Sequence, residues 1–146
     1  MSLATVDVLN RYATGFSIKW PNDIYWHDKK IAGILIENVL SGSTFSRAII
    51  GMGLNINQKN FYSDAPNPVS LYQITGRTYK IEKILDEFTE AFGKRYTDTF
   101  TNSSDRIHKE YIAALYRNDG VYPFYSDGNI FHASIADVEL DGHLLL

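Results

Sequence analysis

A lysine, an indole, a proline, an amide and a carboxylate stand in a row at Lys19-Trp20-Pro21-Asn22-Asp23. Proline fixes the backbone and removes a donor, so Asn22 and Asp23 leave the chain at a defined angle. The run reads either as a strand end with a turn and a local ion pair, or as a polar group presented to a ligand. Lys30 opens a stretch that is otherwise almost wholly apolar, Ile31 to Leu40. Its charge either stays in solvent, with the stem lying along the sheet, or faces an anion at the mouth of a pocket. Gly33 weakens pairing in that stretch, and its presence points to close approach by another group. Glu37 shares the facing of Gly33 and reads as one half of a structural pair.

A third segment, Gly51-Met52-Gly53-Leu54-Asn55-Ile56-Asn57, alternates strictly. Period two puts Gly51, Gly53, Asn55 and Asn57 on one face and Met52, Leu54 and Ile56 on the other. The apolar face belongs to the core. The opposite face lacks side chains and then gains amides, which suits a ligand lying flat; a glycine-containing strand with a bulge gives the same pattern. The third glycine and following helix of the dinucleotide fingerprint are missing. His27, His108, His132 and His143 are scattered without metal-ligand spacing and read as surface or structural residues. No nucleophile-elbow pattern accompanies them.

The elements that hold these residues follow from periodicity. Leu3, Val6, Leu9 and Tyr12 or Ala13 recur at helical spacing, with Gly15 as the expected C-terminal cap. Phe16–Trp20, Ile24–Trp26, Lys30–Leu40 and Phe45–Ile56 read as strands. His27-Asp28-Lys29 and Ser41-Gly42-Ser43 are the turns between the later ones. Such short connections leave no room for crossover helices, so the sheet is expected to be mainly antiparallel. After a loop with Pro66 and Pro68, Val69–Thr75 reads as a short helix or turn. Ile81, Ile84, Leu85, Phe88 and Phe92 mark an amphipathic helix to about Phe100, and Asn102–Asp105 a break offering an N-cap. A further helix spans Ile107–Tyr116. Strands are expected over Val121–Tyr125, Ile130–Val138 and Leu144–Leu146, joined by hairpin turns as in a small barrel.

The 146-residue chain carries a net charge of −3 and no cysteine. The charge makes no electrostatic case for nucleic acid or membrane. The missing thiols exclude disulfides and cysteine chemistry and fit a reducing compartment. No apolar run reaches the roughly 18–20 residues a membrane helix needs, so a cytoplasmic location is expected.

In this order, the three segments Lys19–Asp23, Lys30–Glu37 and Gly51–Asn57 resemble the biotin protein ligase family. The resemblance covers about Ala4 to Tyr116. It implies an α+β fold: a mainly antiparallel sheet packed with helices, as in class II synthetase-like and biotin/lipoate ligase catalytic domains. Residues 1–117 would form the C-terminal part of that domain, and 118–146 an incomplete SH3-like barrel.

The implied activity is ATP-dependent ligation: biotin and MgATP give biotinyl-5′-AMP, and a lysine of a biotin carboxyl carrier protein takes the biotin. On the resemblance, Lys30 contacts both biotin's carboxylate and the α-phosphate. Gly33 lets biotin approach, and Lys19, Asn22, Lys30 and Asn55 bind the adenylate. Magnesium arrives with ATP, near Asn22, and no tightly bound cofactor or resident metal is expected. Asp23 either accepts a proton from the carrier lysine or pairs with Lys19. The family's glycine- and arginine-rich loop normally precedes the lysine-tryptophan-proline run, yet only eighteen residues lie upstream of Lys19. The biotin ureido contacts are missing as well. The chain is therefore expected to be an incomplete, poorly active fragment, possible as a homodimer, with no nucleic-acid binding of its own. Two alternatives stand beside it. One is a non-catalytic binding or dimerisation module that retains the sheet. The other is a lipoate or octanoyl transferase, which the intact lysine-to-aspartate run argues against.

Overall fold

The computed structural model describes residues 1–41, 44–62, 66–100 and 104–146. The chain opens with helix α1 (Ser2–Leu9) and strands β1 (Phe16–Lys19), β2 (Asp23–Trp26), β3 (Lys29–Ser41) and β4 (Thr44–Leu54). Helices α2 (Leu71–Thr75), α3 (Ile81–Thr99) and α4 (Ser104–Ala113) follow. Strands β5 (Tyr122–Ser126), β6 (Asn129–Ala133), β7 (Asp137–Val138) and β8 (Leu144–Leu145) end it. β1 to β4 form one sheet in sequence order, antiparallel throughout as expected. β5–β6 and β7–β8 are separate two-stranded hairpins. The architecture is α+β. The expected turn residues Gly42 and Ser43 and the break residues Asn102 and Ser103 lie outside the described residues.

One face of the sheet is apolar, and it makes the core. Ile18, Ile24 and Ile31 are fully buried together with Leu9 of α1 and with Leu71. Helix α1 lies against this face, where the Thr5 hydroxyl reaches Met52 Sδ of β4 at 3.3 Å. Arg95 of α3 fastens the helices by bonding both carboxylate oxygens of Asp7 at 2.8 and 3.0 Å and also pairing with Glu110.

Two expectations need correction. Helix α1 stops at Leu9, with Asn10 as a right-handed cap, so Gly15 is not its C-cap. Instead Gly15 sits at φ +96° in the turn before β1, and a Cβ there would lie 2.9 Å from the His27 ring. The position needs glycine both for its backbone and for that close approach. The strand expected over Ile130–Val138 is divided into β6 and β7. The strand-like period did not reveal where the chain changes hairpin.

Before Ala32, β3 has a different neighbour. Its pairing with β4 begins at Ala32↔Leu54. The Lys30 backbone bonds instead to Asn67 O and Val69 N, both at 2.9 Å, forming a bridge to Pro68. On the other edge of the sheet, Ile18 bridges Leu115. No helix among the described residues is long and apolar enough to cross a membrane.

Candidate active site

The register of β2 against β3 decides which side chains meet. Asp23 faces Gly33 and Ile24 faces Ala32, but Tyr25 faces Lys30, so Ile31 is an extra residue without a partner on β2. Directly opposed residues in an antiparallel pair point to the same side. Lys30 and Gly33 are three apart and would lie on opposite faces of a regular strand. The bulge at Ile31 reverses that parity. It sends Ile31 into the core and brings Lys30 onto the side of Asp23, Tyr25 and Gly33. Lys19 joins them through its pairing with Asp23, and Gly53 through its pairing with Gly33. Near the bulge the sheet thus carries its buried apolar residues on one side and its chemistry on the other.

On that polar face, Lys30 Nζ lies 2.7 Å from Asp23 Oδ1, with side chains 32% and 21% exposed. Water still reaches the pair, so the ammonium remains open to exchange for another anion. The pair crosses directly over Gly33, where a Cβ would stand 3.4 Å from Asp23 Oδ1 and from Lys30 Cε and Nζ. Gly53, across from Gly33, has nothing within 4 Å of its Cβ position. A cavity of about 320 Å³ opens here, walled by Lys30, Gly33, Gly53, Asn55, Gln58 and Phe61. That volume is near the lower end of ligand pockets (~300–1,000 Å³).

The local sequence holds the walls. Asn55 donates its backbone N–H to Ile31 O at 2.9 Å and accepts from Leu71 N at 3.0 Å. Its side chain makes no hydrogen bond among the described residues, and the residue lines the cavity. Ser70 and Gln73 form a capping box at α2. The Ser70 hydroxyl also donates to Gln58 O at 2.5 Å, so the helix cap and the cavity wall share one fully buried serine.

The structure brings Lys30, Gly33 and Asn55 to one cavity, with Asp23 attached through Lys30. Asp23 does not pair with Lys19, although the two are cross-strand neighbours. Lys19 turns away, donates to the Tyr25 hydroxyl at 3.1 Å and stacks 4.8 Å over that ring. It lines a second hollow of about 630 Å³ with Trp20, Tyr25, Tyr116 and Arg117. Asn22 uses its Nδ2 to donate to Ile34 O at 2.7 Å, which straps the β1–β2 turn onto β3.

Asn57 leaves the glycine face because its amide bonds both ways to the Tyr79 backbone, at 2.8 and 2.9 Å. Glu37 keeps the facing of Gly33 but is exposed and makes no ion pair among the described residues. Tyr25, Gln58, Phe61 and Pro68 were missed as site neighbours. Alternation from Asp23 would have found Tyr25, whereas the other three enter through long-range packing.

The second hollow has its own electrostatics. Hydrogen bonds from the Tyr116 hydroxyl and from Arg117 hold the Asp28 carboxyl below its usual range. Burial, then the bond to Asp28, pushes the Tyr116 phenol up to about 12. In the β7–β8 turn, Glu139, Asp141 and His143 come within 4.8 Å of one another, all exposed. His143 bonds to Asp141 from its backbone N–H at 3.1 Å and at Nδ1 at 2.9 Å, and the Glu139 N–H donates to His143 O at 2.9 Å, which accounts for that grouping.

Comparison with known proteins follows the same residues. The biotin/lipoate A/B protein ligase family model matches residues 1–55, which include all three motif segments up to Asn55. The bifunctional ligase/repressor BirA of Bacillus spizizenii is 36% identical over 90 residues, covering 58% of this chain and 27% of that protein. The biotin–[acetyl-CoA-carboxylase] ligase of Paracoccus denitrificans is 30% identical over 109 residues, covering 72% of this chain and 45% of that protein. The chain thus spans less than half the length of these relatives. A structure of the biotin protein ligase from Aquifex aeolicus in complex with biotin and ATP shares the fold, with a TM-score of 0.78. It is 21% identical, and the match covers 99% of this chain and 61% of that one. The matched segments are those that build the glycine face and its lysine, and on this ground the chain belongs to the biotin protein ligase family.

Proposed function

We propose that this chain supplies the nucleotide side and the carboxylate clamp of an ATP-dependent biotin ligase. The observation that carries the reading is Lys30, a partly exposed ammonium delivered by the Ile31 bulge to the mouth of a cavity floored by Gly33 and Gly53. In the first step a carboxylate oxygen of biotin bonds to the α-phosphorus of ATP, and the bond to the β-phosphate oxygen breaks, releasing pyrophosphate. Two anions must approach each other. A fixed ammonium between them turns that repulsion into attraction, more strongly where water is scarce.

In the second step the amine of a carrier-protein lysine attacks the acyl carbon, AMP leaves, and the amine's proton passes to a base. Asp23 is the carboxylate nearest Lys30 and is the group assigned to that proton once substrates have released it from the ion pair. The bare strands at Gly33 and Gly53 would let biotin lie close to the sheet. The unengaged amide of Asn55 can both donate and accept toward adenine. Magnesium belongs to the substrate MgATP, and Asn22 offers it an amide oxygen, since only its Nδ2 is engaged. Lys19 serves the adenylate from the neighbouring hollow. Residues 118–146 are assigned to the small SH3-like domain, and 1–117 to the catalytic domain.

The test is biotin-dependent exchange of labelled pyrophosphate into ATP by the protein that carries these residues. Exchange that needs biotin is expected; none at saturating biotin and MgATP rejects the ligase reading.

A second reading, self-association, is favoured by one observation. Leu35, Ile36, Ile49 and Ile50 are exposed on β3 and β4, and β4 is a sheet edge. Sedimentation at several concentrations tests it, with a concentration-independent monomer as the opposing outcome.

A further inference from the structure

We infer that Asp23 is a resident counter-anion for Lys30, which an incoming substrate anion must displace across the surface of Gly33. The inference deepens the ligase reading and rests on its assignment of Lys30 as the anion-binding group. Three observations carry it. The bulge at Ile31 places the ammonium on the cavity side, where Asp23 is its only ion-pair partner among the described residues. The contact is short, 2.7 Å, yet both side chains remain partly exposed, so the pair can open without moving a buried charge. A Cβ at Gly33 would touch both members of the pair at 3.4 Å, so this glycine leaves that side of the pair uncovered.

An ammonium without a counter-charge would be free to hold any phosphate or carboxylate. With Asp23 in place, an anion gains only the difference between its own contact and the one it replaces. Asp23 is thus a positioning residue. It presets the direction of the Lys30 stem and lowers affinity for anions that bind through a single weak contact. A ligand placing two anionic groups at Lys30, as a carboxylate beside an α-phosphate would, overcomes the competition.

The experiment measures binding of inorganic pyrophosphate to the 146-residue chain by titration calorimetry. It compares the unaltered chain with Asp23→Asn, Asp23→Glu, Lys30→Gln and the Asp23→Asn/Lys30→Gln double variant. Asp23→Asn is expected to tighten binding about three- to tenfold, the scale of a partly exposed ion pair. Asp23→Glu should restore the competition, and the gain should vanish in the double variant. A purely structural Asp23 predicts the reverse, weaker binding in Asp23→Asn. Unchanged or weaker binding by a variant with unaltered far-UV circular dichroism overturns the inference, and so does a gain that persists without Lys30. If Asp23→Asn does not fold, Gly33→Ala decides. It should keep the ion pair and lose pyrophosphate affinity, and undiminished affinity overturns the proposed route. Because neither biotin nor turnover enters the assay, a failure here is separable from failure of the ligase reading in pyrophosphate exchange.

Discussion

Trp20 and Gly142, 122 residues apart, are joined by a 2.9 Å hydrogen bond from the indole Nε1 to the backbone carbonyl. The bond ties the turn between β7 and β8 to the residue two places before Asn22. Any change in that turn is therefore felt at the head of the lysine-tryptophan-proline run.

The turn should respond to pH through His143. Its hydrogen bond to the Asp141 carboxylate, then the charge of that group, raises the imidazole above its ordinary 6.5. A folded-state value above the unfolded one means the contact contributes fully below 6.5 and is lost as pH rises through the raised value. Tryptophan fluorescence in a Trp26→Phe background, where Trp20 is the sole reporter, should show a step above pH 6.5. His143→Gln should abolish it. A flat signal through that range would sever the link between His143 and Trp20. Both groups are exposed, so the effect is local.

Lys30→Gln should reduce biotin-dependent pyrophosphate exchange by at least about 100-fold, the scale for removing one preorganised electrostatic contact. Its unfolding free energy in urea should change by no more than an ordinary surface substitution, about 0.5 kcal/mol. Equal losses of activity and stability would make Lys30 a structural residue.

Ser70→Ala removes a helix cap and the anchor of Gln58 together. It should destabilise the protein by about 1–2 kcal/mol and weaken nucleotide binding through the loosened wall. A double-mutant cycle with Gln58→Ala tests the connection; strictly additive effects on binding would mean the two are independent.

Core and edge should separate cleanly. Ile24→Ala, at a fully buried position, should lose about 2–5 kcal/mol in urea unfolding, while Leu35→Ala, 62% exposed, should lose less than about 0.5 kcal/mol. A large loss at Leu35 would mean that this face is covered in solution, and would support self-association.

The antiparallel sheet and its bare glycine strand were legible because period two is a local property. Met52, Leu54 and Ile56 turn inward, and Gly51 and Gly53 outward, as alternation requires. Lys30 was picked out by its charge in an apolar stretch, but its facing was not legible. The bulge that sets it carries no glycine and depends on pairing with β2. Asn57 fits the alternation, yet Tyr79 claims its amide from a distant turn. The partner exchange among Lys19, Asp23 and Lys30 also escaped the sequence. Adjacent strands offered Asp23 two lysines, and only the geometry over Gly33 selects one.

The bulge at Ile31 makes register and charge check each other. If the chain slipped by one residue to iron it out, the lysine would turn toward the core and the isoleucine into water. Burying an unpaired ammonium is costly enough to forbid that arrangement. A molecule that completes its sheet has therefore already presented its lysine outward, so folding selects for readiness of the site. The same logic limits mutagenesis. An apolar side chain at position 30 would remove the penalty and license the slip, shifting strand geometry along with the lost charge. A neutral polar replacement keeps the lock and removes only the cation.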